Sequence, residues 1–434
     1  MIPDSPHGTN AATAAIVALR WTQCLLMMTA HRALSGTHYF KPQLTEAAVG
    51  TQLCIPKVGP TDRSILEKRN DMDKVTTFGP ASVGNAGSCY DIMGYSLDYV
   101  GDFVTVEKVD KLNNGVIWGG VEGPYANELA DVDYRKNTAW LVANHIWVKL
   151  LGETKVNFSL RLKLHKYMPV GSGMGSSASS SAAAAAAIFT LLDLSWKDDT
   201  LSECLEIGEK AASGSGHLDN VIPAYFGGFY VICQDFYRSA ATCRRRYLRI
   251  EGGEKVLSVV VHPEISVKTN MSREAVKDYV RNVYLESASE KATDILLLLR
   301  EESAKAAQMV HAVVTNNVQL MGELLNKNNM LEAARSKFIP HFEEVKEAAL
   351  ESGAYGCTIS GSGPAMVAIT DDRDKANHIR DAMVATFDGL APKWLISPIG
   401  KEGTRIVNSI EDFIMRSKSH HNFWDFPQGK TVRA

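Results

Sequence analysis

Apolar residues recur along this chain with two different periods. From Val156 to Leu164 every second residue is apolar (Val156, Phe158, Leu160, Leu162, Leu164), the two-residue repeat of a half-buried strand. Tyr99–Lys108 repeats this pattern, with Val100, Val104 and Val106 on one face, and Val75–Ser82 alternates in part before the turn cluster VGNAGS. Val256–Val261 is an apolar run that suits a buried strand. Helical spacing governs Thr138–Leu151, where Trp140, Trp147, Val148 and Leu151 share one side and Asn137 stands at the cap position. Further helices are predicted over 197–213, with a cap near Asp198 or Asp199, and over Arg273–Val283, Ala292–Val314, Met330–Ser352 and Ala376–Phe387. Tyr355–Ile359 and Ala365–Ile369 read as short β segments around a glycine turn, and Lys393–Pro398 as a last strand. Strands and helices alternate in both halves, which predicts an α+β protein of two domains, 71–250 and 251–407. Residues 1–70 read as an upstream extension and 408–434 as a polar and aromatic tail.

Composition narrows the function classes. The chain has 434 residues, 45% hydrophobic and 22% charged, with a formal net charge of −3, so it supplies no large positive field for a polyanion. Residues 1–70 hold seven basic against four acidic residues; that segment is therefore +3 and the remainder −6. Few acids and many small residues are also what an organelle transit segment shows. The location expected is cytoplasmic, with a plastid or other organelle as the alternative if 1–70 acts as such a segment. The apolar window 11–30 contains Arg20, Trp21 and Gln23 and makes a poor membrane span, and MIPDSPH lacks the positive start of a secretory signal. Seven widely spaced cysteines without a CxxC pair argue against a zinc knuckle or a disulfide framework. The arginines at 244, 245, 246 and 249 carry no aromatic interleaving and read as a solvated loop. No nucleic-acid or membrane partner is expected.

The chemistry concentrates in 169–181, PVGSGMGSSASSS, which runs into six alanines. Gly171, Gly173 and Gly175 alternate along a loop that follows a strand and opens into a helix of small residues. Glycines permit positive φ and close ligand approach, and the helix start adds free amides and a positive dipole end. This is an anion site, with Ser176 and Ser177 offering hydroxyls to phosphate or Mg²⁺. It lacks the Gly-Lys-Ser/Thr of a Walker loop, and no Asp or Glu ends an obvious second strand about 20 residues on, as a dinucleotide fingerprint needs.

The loop resembles the second motif of the GHMP kinases. Residues 79–98, GPASVGNAGSCYDIMGYSLD, resemble their first motif in its homoserine-kinase form, and 216–229, GHLDNVIPAYFGGF, resemble the His-x-Asp-Asn segment. Residues 353–368, GAYGCTISGSGPAMVA, resemble the glycine-rich third motif. The four motifs keep the family's order within 71–407.

The resemblance implies a two-domain GHMP kinase fold, with an N-terminal phosphate-loop domain and a C-terminal ferredoxin-like domain. It implies ATP and Mg²⁺ as cofactors, L-homoserine as the acceptor, and a homodimer as an option. ATP would lie on Pro169, Gly171, Ser172, Gly173, Met174, Gly175, Ser176 and Ser177, with Gly361, Ser362 and Gly363 facing the cleft. Ser177 and Glu209 would hold the metal. Arg273 and Arg335 would take the substrate carboxylate, aided by Thr269; Asn85 and Asp91 would take the ammonium. His217, Asp219 and Asn220 would line the same pocket, Asn220 nearest the hydroxyl, with Asp219 a doubtful base. Tyr90 stands where the family usually has Phe, a mild change, and Met174 where it has Leu. Other readings are a kinase of the same fold acting on threonine or a mevalonate-type alcohol, and a non-catalytic ligand-sensing relative.

Overall fold

The computed structural model describes residues 72–87, 90–110, 115–151, 156–194, 198–214, 216, 218–232, 247–282, 291–327 and 329–423. The 1–70 extension, His217 and Arg244–Arg246 lie outside them. Strands in chain order are β1 (Lys74–Gly84), β2 (Met93–Asp110), β3 (Val116–Glu122), β4 (Phe158–His165), β5 (Phe229–Ile232), β6 (Tyr247–Ile250), β7 (Leu257–His262), β8 (Gly356–Ile359), β9 (Met366–Thr370), β10 (Lys393–Pro398) and β11 (Arg405–Ile406). Among the helices, α1 is Thr138–Ile146, α2 Ser176–Leu191, α3 Asp198–Ser213, α4 Leu218–Phe226, α5 Thr269–Val280, α6 Lys291–Val314, α7 Val318–Asn326, α8 Asn329–Arg335, α9 Phe342–Glu351, α10 Arg373–Thr386 and α11 Ile410–Ser417.

The first sheet runs β11-β1-β2-β4-β3, with β5 pairing the start of β2 and β6 extending from β5. The β4 alternation drives its place there. Leu160, Leu162 and Leu164 are fully buried against the helices, while Arg161 faces water. Helix α2 lies on this sheet and is buried on nearly every side. Its alanines and serines make that possible, because small side chains let backbones approach closely. A Cβ on Gly79 of β1 would sit 2.2 Å from the Ser179 carbonyl oxygen. Thr77 Oγ1 donates to the Ala183 carbonyl at 2.7 Å, and Ser179 Oγ donates to that of Gly79 at 2.5 Å. The serine- and alanine-rich run is thus the central helix of the first domain.

The second sheet is antiparallel throughout, in the order β10-β7-β9-β8. With helices after β7 and after β9, this is a ferredoxin-like β-α-β-β-α-β arrangement, as expected. The two sheets share one hydrophobic core, in which Phe78, Tyr95 and Phe103 of the first domain pack with Val260, Val367 and Leu395 of the second. Tyr95 Oη and Ser258 Oγ lie 3.0 Å apart, and Ser397 Oγ accepts the Asp98 N–H at 2.7 Å.

Several sequence expectations change. The predicted helix Met330–Ser352 is two helices, α8 and α9, because Pro340 and His341 (φ +57°) interrupt it. Helix α7 was not foreseen, nor was β3, whose Gly119–Gly120 pair breaks its alternation at a register shift. Asn137 caps α1, accepting the Ala139 and Trp140 amides, but the helix continues as a π turn over Trp147–Leu151 and Val148 points to solvent. The tail expected over 408–434 is packed through residue 423. Phe413 meets the rings of Phe78 and Phe103, and Ile414 and Phe423 are buried; just ahead of this segment, β11 pairs with β1 of the first sheet. Ser409 caps α11, and Ile410, Phe413, Ile414 and Ser417 lie on one helical face, so the signal was present in the sequence.

Candidate functional site

The loop between β4 and α2 forms the floor of a cleft of about 410 Å³. Gly171, Gly173 and Gly175 all have positive φ, at +68°, +79° and +68°. Gly173 is fixed twice over, since a Cβ there would also lie 2.6 Å from the Ser360 carbonyl oxygen and 2.7 Å from that of Gly363. The loop carbonyls are spoken for: Met174 O accepts from Ser82 N at 3.0 Å, Gly173 O from Ser360 Oγ at 2.9 Å, and Ser172 O from Ala365 N at 3.1 Å. The first-turn amides of α2 have no intrahelical acceptor, and Gly175 at the N-cap supplies no side chain to satisfy them. The loop therefore presents donors and a positive dipole end, the geometry of a phosphate site.

Gly171, Ser172, Gly173, Gly175, Ser176 and Ser177 line the cleft, as do Gly361 and Ser362 from the second domain. Pro169, Met174 and Gly363 do not. The Met174 side chain is buried in the shared core, Pro169 is buried behind the loop, and Gly363 packs against Ile339 and Ile359. Ser177 Oγ donates to Glu209 Oε2 at 3.2 Å, and Glu209 is only 3% exposed. It is thus not a solvated helix carboxylate. A hydroxyl beside a carboxylate on a phosphate loop is a hard-oxygen donor pair that suits Mg²⁺, which takes few protein ligands and completes its shell with waters and phosphates.

The other end of the cleft is built from four segments. Asn85 (φ +55°) uses its side-chain oxygen to accept the Asp91 N–H at 2.9 Å, and its own N–H donates to Asp219 Oδ2 at 3.0 Å. Asp219 is fully buried and also accepts from Asn220 Nδ2 at 3.3 Å; Asn220 Oδ1 in turn accepts from Ser82 Oγ at 3.1 Å. Asp219 is a scaffold for Asn85 and Asn220 and does not line the cleft, whereas those two residues do. Thr269, Arg273 and Arg335 close the far wall.

The two arginines differ in state. Arg273 makes two hydrogen bonds to Asp91, of 3.2 Å and 2.6 Å. Burial works against its charge, but the Asp91 contacts outweigh it and its pKa rises. Asp91, expected at the substrate ammonium, thus engages Arg273 and reaches the cleft through it. Arg335 is 2% exposed; its Nη1 donates to the Gly361 carbonyl at 2.7 Å, while its Nε has no hydrogen-bond partner among the described residues. Burial pulls its pKa down. A buried guanidinium that has no ion partner among the described residues and lines a cleft is matched to an incoming carboxylate.

Two features escaped the sequence reading. Lys166, nearly buried beside Asp102 as an ion pair, donates to Ser176 Oγ at 2.6 Å and lines the cleft. A single lysine after a strand has no periodic signature. The second is an adjoining cavity of about 320 Å³ lined by Trp118, Val121, Leu129, Val132, Tyr134 and Asn137, where the Trp118 and Tyr134 rings stack at 5.9 Å. It shares Leu129, Val132 and Asn137 with the cleft.

Similarity to known proteins follows the same layout. Residues 137–228 match the family model for the GHMP kinases N terminal domain, and 309–389 that for GHMP kinases C terminal. The chain is 33% identical over 343 residues to a homoserine kinase of Methanocella arvoryzae, covering 79% of this chain and all of that one. It is 33% identical over 339 residues to a homoserine kinase of Arabidopsis thaliana, covering 77% of this chain and 85% of the relative. A homoserine kinase crystal structure from Cytophaga hutchinsonii superposes with a TM-score of 0.64 at 29% identity, over 78% of this chain and 99% of that chain. A crystal structure of L. major mevalonate kinase shares the fold, with a TM-score of 0.56 at 17% identity over 76% of this chain and 98% of that chain.

Proposed function

Because the chain belongs to the homoserine kinases of the GHMP kinase family, we propose that its cleft holds the ATP phosphates on the glycine loop and homoserine against Arg335 and Arg273. The reaction is ATP-dependent phosphorylation of the homoserine hydroxyl to O-phospho-L-homoserine, a step of threonine biosynthesis. The observation that carries the placement is Arg335, a buried cation in the wall of the phosphate cleft with an unused Nε donor.

Phosphoryl transfer passes through a loose transition state, so positioning and charge stabilisation supply most of the catalysis. The amides of the α2 N-terminus and Lys166 face the developing negative charge. Ser177 and Glu209 would hold Mg²⁺, which when bound offsets charge on the β- and γ-phosphates. The adenine fits the adjoining apolar cavity between Trp118, Leu129 and Tyr134. Arg335 takes the homoserine carboxylate, and Asp91 turns from Arg273 toward the ammonium. Asn220 orients the hydroxyl.

The hydroxyl oxygen attacks the γ-phosphorus in line as the bond to the β–γ bridging oxygen breaks; ADP leaves, and the proton passes late to phosphate or water. Asp219 is not needed as a base, since its oxygens already accept from Asn85 and Asn220. Among the described residues no helix is long and apolar enough to cross a membrane.

One assay tests the assignment. Full-length protein with MgATP and, separately, homoserine, threonine, mevalonate and galactose is followed by ADP release. Homoserine should turn over fastest. Turnover of mevalonate without homoserine overturns the acceptor assignment.

A further inference from the structure

Tyr90 stands in the turn between β1 and β2, next to Asp91. Its ring packs in a small apolar cluster with Val276 of α5 and Leu331 and Ala334 of α8. These are the two helices that carry Arg273 and Arg335. Both guanidiniums lie against the ring: the Arg273 Cζ is 5.2 Å from its centroid and the Arg335 Cζ is 5.6 Å. Both distances fall within the roughly 6 Å range of a cation–π contact.

Two like charges close to one point repel each other. Asp91 answers one of them, and Arg335 has no ion pair among the described residues. The Asp91 and Asp219 carboxylates favour its charge from a distance, but the negative face of the ring lies against the guanidinium itself and favours a cation there without consuming its N–H donors. A carboxylate partner would offset the Arg335 charge better, but it would occupy the fork that the substrate needs.

We propose that Tyr90 is a positioning residue for substrate binding: its ring holds the Arg273 and Arg335 guanidiniums together, with the Arg335 donors open, so that the pair receives the substrate carboxylate. This rests on the homoserine reading of the cleft. The ring carries the role and the hydroxyl does not, so a phenylalanine at this position should serve equally. Tyr90 touches the substrate through the arginines, so its loss acts on capture of an amino acid and not on ATP.

Three full-length variants separate ring electronics from shape. Tyr90→Phe keeps the negative face, Tyr90→pentafluorophenylalanine keeps the shape and reverses the face, and Tyr90→Leu removes the ring. For the last two, KM for homoserine should rise about tenfold, the worth of a partly desolvated cation–π contact, with KM for MgATP and kcat within about twofold. Tyr90→Phe should match the parent. With homoserine amide, which lacks the carboxylate charge, all four proteins should give similar KM values, an outcome that a merely structural role would not produce. The fluorinated ring is nearly isosteric with Phe, so the test survives if Tyr90→Leu fails to fold. A pentafluorophenylalanine variant that equals Tyr90→Phe, or a rise shared by homoserine, its amide and MgATP, overturns the proposal. Failure of the parent itself to phosphorylate homoserine would instead overturn the reading beneath it.

Discussion

Arg335 offers the sharpest test of the acceptor site. Replacing it by Met keeps the apolar stem and removes the charge. In the parent, the guanidinium donates to the Gly361 carbonyl, and among the described residues its Nε has no partner at 2% exposure. Homoserine would lose a charge-assisted contact worth about 1.5–3 kcal/mol, which is roughly 10- to 150-fold in KM.

The free protein should respond little. Loss of the Gly361 bond costs about 1–3 kcal/mol, and relief of an unpaired buried charge offsets much of it, so unliganded stability should stay within about 1 kcal/mol of the parent. Ligand protection shows the contrast. At 100 times the parent Kd, homoserine stabilises the parent by about 2.7 kcal/mol. If Kd rises 30-fold, the same concentration gives about 0.9 kcal/mol. Steady-state ADP release and urea unfolding with and without homoserine measure both quantities. Equal increases in KM for homoserine and MgATP would refute the placement, as would a collapse of unliganded stability with KM unchanged.

Other outcomes follow from the same geometry. Asp219→Asn should lower kcat by misplacing Asn85 and Asn220, but by less than about 10³; a larger loss, in the upper range for general bases, would require Asp219 to act as one. Gly173→Ala should cost about 1–3 kcal/mol in urea unfolding, because it combines φ +79° with contacts of 2.6 and 2.7 Å to the second domain. A cost below ~0.5 kcal/mol would mean the loop is not pinned there. His262 and His421 are 1% and 3% exposed, and burial pushes both pKa values down to about 4. The unfolded chain takes up protons below about 6.5, which the folded form refuses until about pH 4. Stability is therefore complete above that range and should fall on acidification, by up to about 1.4 kcal/mol per pH unit per histidine. A urea midpoint that does not move between pH 7 and 5 contradicts this, and His262→Phe should flatten the slope.

Local signals in the sequence located much of this. The alternation of Leu160, Leu162 and Leu164, the cap at Asn137 and the three glycines of the loop each reflect forces acting within a few residues. The four motifs brought the arginines and Glu209 into view. What stayed hidden depends on partners far away in sequence. Lys166 matters through Asp102 and Ser176. Asp91 has two roles open to it, and only the approach of α5 reveals Arg273 as its present partner. Val148 has helical spacing yet faces water, because the helix changes to a π turn beneath it. The packed segment after 407 carried a cap and an apolar face, but polar neighbours and paired histidines masked them.

The return of that segment, together with β11 just before it, has a consequence for biosynthesis. The first sheet is completed by β11, and the shared core needs Phe423 as well as Phe78. A ribosome making this chain releases the residues of the phosphate-loop domain long before those of β11 and α11. Domains often fold as they emerge, but here the first must wait with one sheet edge and part of its core unpaired until the last elements leave the exit tunnel. The exposed interval is when chaperones would be needed most, and it is set by the order of residues along the chain and not by the stability of the finished enzyme.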